Sequence, residues 1–422
     1  MHSVTNVIPT GTIASIPAKA HAHRALICAA LANSPSTILL SRTSKDIDAT
    51  MDSLRGLGAH VVYENKVVTV TPGPVPAKGN VVPHESGTTL RLLLPVAASI
   101  CNDVDVDAKG RLPDRPLEPM LSEMKAHGVT FSQDKPPFTM TGCLQGGNFS
   151  MVGDVSSQFF SGLLLAAPQI GLSTITATTP LQSSDYVTLT TETMRDFGVE
   201  VEHTLPDTNI NESFTVPFGA SFIGRNNYQI EGDWSNAAIW MVAAGMTGKP
   251  ITITGMNKNS VQADHRIIQV MIDAGCDVAW DGMNVTVTGR ASKPIHVDLE
   301  QMPDMLPVMA ALACSIQGES AFVKGARLRL KESDRLVAVA NLVRDLGGTV
   351  REGGDDLYII GSGILKGGHG DCVNDHRLVM AGTLMALISE NPVMLKDSEA
   401  ITKSYPDFFE DWNLLGGDAH GI

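Results

Sequence analysis

Gly56-Leu-Gly-Ala-His-Val61 decides the fold, because its pattern returns five more times along the chain. In each copy a helical run stops at a glycine and passes directly into a β-like run. The glycines are Gly58, Gly128, Gly198, Gly275, Gly347 and Gly416, separated by 70, 70, 77, 72 and 69 residues. A period of about 70 residues is the self-similarity of a repeated structural unit. The recurring residue type has a physical reason: the position just past a helix end often needs left-handed dihedrals, which glycine adopts without a Cβ penalty.

Each copy also carries an earlier, more apolar helix, expected at residues 25–31, 90–100, 159–167, 237–246, 306–316 and 378–389. These are apolar nearly all round, so they belong inside. The later helices, for instance 46–57 and 333–346, carry charge on one face and belong outside. Residues 36–40, 67–71, 251–254, 285–288 and 357–360 read as strands. The unit is therefore helix, strand, helix, strand, strand, and the final copy reaches the C-terminus without its hairpin. A chain of 422 residues is too long for one ordinary core. The expectation is an α/β protein of two domains, each with three copies around three buried helices.

The chain has 31 basic against 45 acidic side chains, a net charge of −14. That balance argues against broad binding to nucleic acid or to an anionic membrane, yet leaves room for a small basic pocket. Six cysteines stand at 28, 101, 143, 276, 314 and 372 with no C-x-x-C pair, which reads as reduced packing thiols. Residues 1–15 lack a basic start followed by a continuous apolar stretch, so no secretory signal is expected. Apolar runs such as 90–100 fall short of the roughly 18 residues of a membrane span. A soluble, cytoplasmic monomer is the expectation.

Function begins to show where each buried helix starts. There the sequence turns polar: Lys19-Ala-His-Ala-His-Arg24, Ser86-Gly-Thr-Thr89, Ser156-Ser-Gln158, Asp233-Trp-Ser-Asn236, Pro303-Asp304 and Asn374-Asp-His-Arg377. Helix N-termini expose unpaired N–H groups and about half a positive charge. Parallel buried helices would aim these starts at one face and form an anion-binding floor. Plain N-capping explains any one start; six starts accompanied by Lys and Arg ask for an anionic ligand.

Asp154-Val-Ser-Ser-Gln-Phe159, Leu328-Arg-Leu-Lys-Glu-Ser-Asp-Arg335, Asn374-Asp-His-Arg377 and Lys403-Ser-Tyr-Pro-Asp407 carry a resemblance to one family. Gly87-Thr-Thr-Leu-Arg91, Gly110-Arg-Leu-Pro-Asp-Arg-Pro116 and the 19–24 segment join them in the same order. The chain resembles the EPSP synthases, the 3-phosphoshikimate 1-carboxyvinyltransferases of the enolpyruvyl transferase superfamily. The resemblance implies a two-domain inverse α/β barrel. Residues 1–17 and 232–422 would form a discontinuous domain 1, residues 18–231 would form domain 2, and the active site would lie in a cleft that closes on substrate.

It also implies a reaction of the shikimate pathway for aromatic amino acids, in which the enolpyruvyl group of phosphoenolpyruvate passes to the 5-hydroxyl of shikimate 3-phosphate. Phosphoenolpyruvate would be held by Lys19, Gly87 (backbone), Arg111, Gln158, Arg335, Arg377 and Lys403. Shikimate 3-phosphate would be held by Arg24, Ser156, Ser157, Gln158, Ser183, Tyr186, Asp304 and Lys331. Asp304 would take the hydroxyl proton, while Lys19 and Glu332 would serve C3 and the departing phosphate. No metal, nucleotide or organic cofactor is implied, and the only partners are the two small-molecule substrates.

Each residue taken alone has a plainer reading. Arg335 and Glu332 could be a surface ion pair on a helix, Asp304 an N-cap, and Lys403 an exposed lysine. His21 and His23, two apart, would not share a helical face as metal ligands. Two places depart from the family pattern. The catalytic lysine sits in Ala18-Lys19-Ala20, without its flanking serines, and the approach to Gly87 reads His84-Glu85-Ser86. Arg327 stands where some members have asparagine. The sister enzyme acting on UDP-N-acetylglucosamine shares the fold and donor, but it usually has Lys-Asn at the first block and a cysteine in the loop that is 108–116 here. A repeat-built clamp without chemistry would place basic residues along helix flanks, not at helix starts.

Overall fold

The computed structural model describes residues 1–206 and 211–422. The chain forms two compact units, one of Met1–Ile16 with Glu231–Ile422, the other of Pro17–Ile230. Each crossover falls one residue before the boundary read from the sequence.

The six recurring glycines all have positive φ, between 87° and 102°. Each closes the same double hydrogen bond. At Gly58, its own N–H donates to Arg55 O and the next N–H, of Ala59, donates to Leu54 O. The pair recurs as Gly128 and Val129, Gly198 and Val199, Gly275 and Cys276, Gly347 and Gly348, Gly416 and Gly417. These are Schellman ends, which satisfy carbonyls that the helix itself cannot reach.

The inner helices are Lys19–Ala30, Gly87–Ile100 and Ser157–Ile170 in the second unit, and Trp234–Thr247, Leu306–Ser315 and His376–Ala386 in the first. Every residue from Leu306 to Ser315 is buried, as expected of a helix that is apolar all round. The outer helix Lys45–Gly56 instead buries Ile47, Met51 and Leu54 and leaves Asp52 and Arg55 exposed. Inner helices approach closely. A Cβ on Gly162 would stand 2.5 Å from Arg91 O and 3.3 Å from Leu92 Cα, so only glycine lets Ser157–Ile170 close on Gly87–Ile100. Overpacking there would cost about 1–3 kcal/mol.

Among the described residues, six four-stranded sheets share one topology. In one of them Gly79–Val81 runs parallel to Asp103–Val106, which pairs antiparallel with Phe138–Thr141, itself antiparallel to Thr130–Phe131. Val104 and Val106 point into the core while Asp103 and Asp105 face away, the period-2 alternation of a half-buried strand. The parallel pair needs a crossover, and the inner helix supplies it. The sequence reading lacked this leading strand. It is short, two to four residues at Gly11–Ala14, Gly79–Val81, Asn148–Met151, Tyr228–Gln229, His296–Asp298 and Gly368–Asp371, too brief to show a period.

As expected, the last copy has no hairpin of its own; a single strand follows its outer helix. Ala419–Gly421 pairs antiparallel with His2–Val4, which also pairs with Val393–Lys396. The missing strand comes from the other end of the chain. The second unit closes likewise: Tyr228–Gln229, near its end, runs parallel to Ser36–Leu39, near its start.

Candidate active site

In the first unit the starts of all three inner helices meet. Arg335 opens the Arg335–Asp345 helix and is only 1% exposed. Its Nε donates to Asp375 Oδ2 at 2.8 Å, one terminal nitrogen to Asp304 Oδ1 at 2.6 Å, the other to Glu332 Oε2 at 2.8 Å and Asp375 Oδ1 at 3.3 Å. Asp375 caps the His376–Ala386 helix by accepting from Arg377 N at 3.0 Å, and it accepts from Ser333 Oγ at 3.0 Å. Arg377 donates to the carbonyl of Ser235, at the start of Trp234–Thr247, at 3.0 Å. Lys331 Nζ lies 3.1 Å from Asp304 Oδ1, and Lys403 Nζ donates to Asn374 O at 2.8 Å. Asp304, Lys331, Glu332, Arg335, Arg377 and Lys403 thus gather around three helix starts.

Several plain readings fail here. Arg335 is buried, so its pair with Glu332 is no surface contact, and Glu332 precedes the helix. Asp304 makes no cap hydrogen bond; it lies in the Pro303–Met305 turn and spends its carboxylate on Lys331 and Arg335. Lys403 is half-buried and bonded.

The charges are strongly coupled. Burial acts to raise the Asp304 carboxyl, but Lys331, Arg335 and Arg377 outweigh it and hold it well below the usual carboxylate range. Burial likewise acts to lower Arg335, and Asp375, Glu332 and Asp304 outweigh it, raising the guanidinium well above its ordinary value. Burial lowers Lys331, with Asp304 opposing.

In the second unit a matching cluster forms. Lys19 Nζ donates to Asp46 Oδ2 at 2.9 Å, and Asp46 O accepts from Thr89 Oγ1 at 3.3 Å. Gln158 donates to Thr88 Oγ1 at 2.9 Å and accepts from Arg91 at 3.1 Å. Ser156 caps the helix that Ser157 opens, accepting from Gln158 N at 3.3 Å. Arg24, 1% exposed, reaches Thr190 Oγ1 at 2.7 Å, Ala20 O at 2.7 Å, Tyr186 O at 3.0 Å and Ser161 Oγ at 3.3 Å. Burial lowers its guanidinium to about 10, which leaves it charged. Ser183 is buried with φ of 54°, directly before the turn that presents Tyr186.

The two histidines serve the scaffold. His23 Nδ1 sits 2.6 Å from Thr50 Oγ1, which reaches Thr89 Oγ1 at 2.7 Å. His21 Nε2 sits 2.8 Å from Tyr228 Oη, which donates to Asp196 Oδ2 at 2.8 Å. Burial, with Arg24 nearby, lowers His21 to about 4.

The EPSP synthase (3-phosphoshikimate 1-carboxyvinyltransferase) family model matches residues 8–412. The chain belongs to this family. It is 35% identical over 413 residues to the 3-phosphoshikimate 1-carboxyvinyltransferase of Clostridium kluyveri, covering 97% of this chain and 95% of that one. The enzyme of the same name from Methanocorpusculum labreanum is 35% identical over 418 residues, 97% of each chain. The solved structure of EPSP synthase from Acinetobacter baumannii superposes with a TM-score of 0.80 at 22% identity over 99% of both chains, a likeness of fold.

Family membership sharpens what the sequence reading missed. The guanidinium against Gly87 belongs to Arg115, whose terminal nitrogen lies 2.6 Å from where a Gly87 Cβ would stand. Arg111, expected to hold phosphoenolpyruvate, is solvent-exposed beside the Leu112–Asp114 turn. Both arginines lie in one EPSP synthase block, and only the turn between them decides which faces inward. Arg91, the last residue of the Gly87–Arg91 block, is buried and donates to Gln158 Oε1 at 3.1 Å. Glu85, an unexpected acid in an EPSP synthase at this place, lies against Gly110 of the same loop. Among the described residues no His, Cys, Asp and Glu group is spaced to hold a metal ion, and no helix is long and apolar enough to cross a membrane.

Proposed function

We propose that this chain transfers the enolpyruvyl group of phosphoenolpyruvate to the 5-hydroxyl of shikimate 3-phosphate and releases phosphate. One observation carries the reading beyond the family name: Arg335 ties the expected Asp304 and Glu332 to Asp375, and the expected Lys331 reaches the same Asp304. So much buried positive charge in a chain of −14 suits an anionic, phosphorylated substrate.

The chemistry follows from the groups present. The 5-hydroxyl oxygen attacks C2 of phosphoenolpyruvate, its proton goes to Asp304, and C3 takes a proton from an acid. The C2–O bond to phosphate then breaks, phosphate leaves, and C3 returns its proton. Asp304 is a weak base while Lys331, Arg335 and Arg377 surround it. Substrate anions that engage those cations reduce their hold and strengthen the base where it is needed. Glu332 and Lys19 exchange the C3 proton, and Lys19 leaves Asp46 to do so.

Arg115, Gln158, Arg335, Arg377 and Lys403 hold phosphoenolpyruvate, with the backbone of Gly87. Arg24, Ser156, Ser157, Gln158, Ser183, Tyr186 and Lys331 hold shikimate 3-phosphate. We read the protein as a monomer of a reducing, cytoplasmic compartment, in keeping with its six free cysteines, five of them buried.

The test is phosphate release by purified protein given phosphoenolpyruvate with shikimate 3-phosphate, or with UDP-N-acetylglucosamine, without added metal. Release with the first acceptor alone is expected. Release only with the second, or with neither, refutes the reading.

A further inference from the structure

Asp264 is a buried carboxyl that the proposed reaction leaves unused. It lies in the Ala263–Arg266 turn and is 1% exposed. Among the described residues its only hydrogen-bond partner is the Ser235 hydroxyl, which donates to Oδ2; Oδ1 is buried and has none. An ionised carboxylate so placed bears most of its desolvation cost uncompensated.

The turn that carries it is fixed: Gln262 accepts from Trp234 N at 3.1 Å and donates to Glu231 Oε1 and Gly232 O, each at 2.8 Å. From the packed elements, Asp233 at the start of Trp234–Thr247, Asp304 in the Pro303–Met305 turn and Arg377 at the start of His376–Ala386 act on it; His265 and Arg266 flank it on its own turn, Arg266 exposed. Two of the three facing charges are negative. Burial, then Asp304, push its carboxyl up to about 6, against a weaker opposing pull from Arg377 and the Ser235 bond.

We propose that Asp264 is a positioning residue whose neutral form supports phosphoenolpyruvate binding. It holds Ser235, whose carbonyl holds Arg377, and when neutral it adds no further negative charge beside Asp233 and Asp304. This rests on the reading in which Arg377 binds phosphoenolpyruvate and Asp304 takes the hydroxyl proton. When Asp264 ionises it adds negative charge behind Arg377, where a phosphorylated carboxylate must bind. By linkage, phosphoenolpyruvate favours the protonated form by the same factor that ionisation weakens phosphoenolpyruvate.

The test compares kcat/KM for phosphoenolpyruvate against pH in wild type, D264N and S235A. Substrate ionisation is common to all and cancels in the ratios. D264N stays neutral at every pH, so its kcat/KM relative to wild type should rise about 5- to 10-fold between about pH 5.5 and pH 8, the lower end of typical coupling. A flat ratio overturns the proposal. S235A removes the single donor to the carboxylate, so the break in its profile should move to higher pH. An unmoved break overturns the proposal even if D264N does not fold. Wild-type turnover is measured first: an inactive wild type overturns the functional reading and this inference together, whereas an active one with a flat ratio overturns this inference alone.

Discussion

Replacing Asp375 by alanine should loosen the first unit about as much as truncating a large core side chain. Asp375 is fully buried and accepts from Ser333 Oγ, Arg335 Nε, Arg335 Nη2 and Arg377 N at 3.0, 2.8, 3.3 and 3.0 Å. Removing one partner of a buried ion pair typically costs about 3–5 kcal/mol, because the other charge stays behind. Losing a helix cap costs about 0.5–2 kcal/mol more. The terms share one carboxylate and do not add, and Arg335 keeps Asp304 and Glu332. About 3–4 kcal/mol is the expected loss. Asp375→Asn keeps an oxygen for the cap but loses the charge, so about half of that is expected. All four tryptophans, Trp234, Trp240, Trp280 and Trp412, lie in the first unit, so their fluorescence during urea unfolding reports on that unit. With a urea slope of about 2–3 kcal/mol per molar, the midpoint should fall by about 1–2 M in Asp375→Ala. A shift under about 0.3 M, or equal shifts for the two variants, refutes the ion-pair reasoning.

Glu332→Gln should lower kcat by about 100-fold or more, with the KM for shikimate 3-phosphate within a few-fold of wild type; steady-state phosphate release checks it, and a change in KM alone removes Glu332 from proton transfer. Ala20→Ser should tighten shikimate 3-phosphate by about 3- to 30-fold, since a serine hydroxyl could donate to its carboxylate in place of a water. Calorimetry decides it, with unchanged or weaker binding counting against the assignment of Arg24, whose guanidinium touches Ala20 O. His21 titrates at about 4 in the fold against about 6.5 unfolded. The unfolded chain therefore takes up a proton that the fold refuses, so stability is intact above about pH 6.5 and falls as pH drops toward 4. Between about pH 7.5 and pH 4.5 the second unit should lose about 2–3 kcal/mol through His21. Urea unfolding followed by circular dichroism should show His21→Gln escaping that loss, and parallel pH dependences for the two proteins contradict it.

The sequence by itself determined the repeat, its glycine stops and the distinction between inner and outer helices. These depend on local physics: left-handed dihedrals past a helix end, and whether one face or all faces are apolar. The order of the blocks was also enough to name Asp304 and Glu332, which bind Arg335, but not Asp375, which binds it too. Tertiary structure alone decided what depends on segments distant in the chain. His2–Val4 completes the last sheet from the far end, since a three-residue strand has no signal until its neighbour is in place. Arg115 rather than Arg111 reaches Gly87, because a loop's path and not its composition aims a side chain. Asp264 and Asp304 are both acids in short turns that precede helices, yet burial and Asp304 lift the first carboxyl, while three cations hold the second down. A carboxyl's charge is set by what packs against it, and here those neighbours arrive from stretches of chain far apart in sequence.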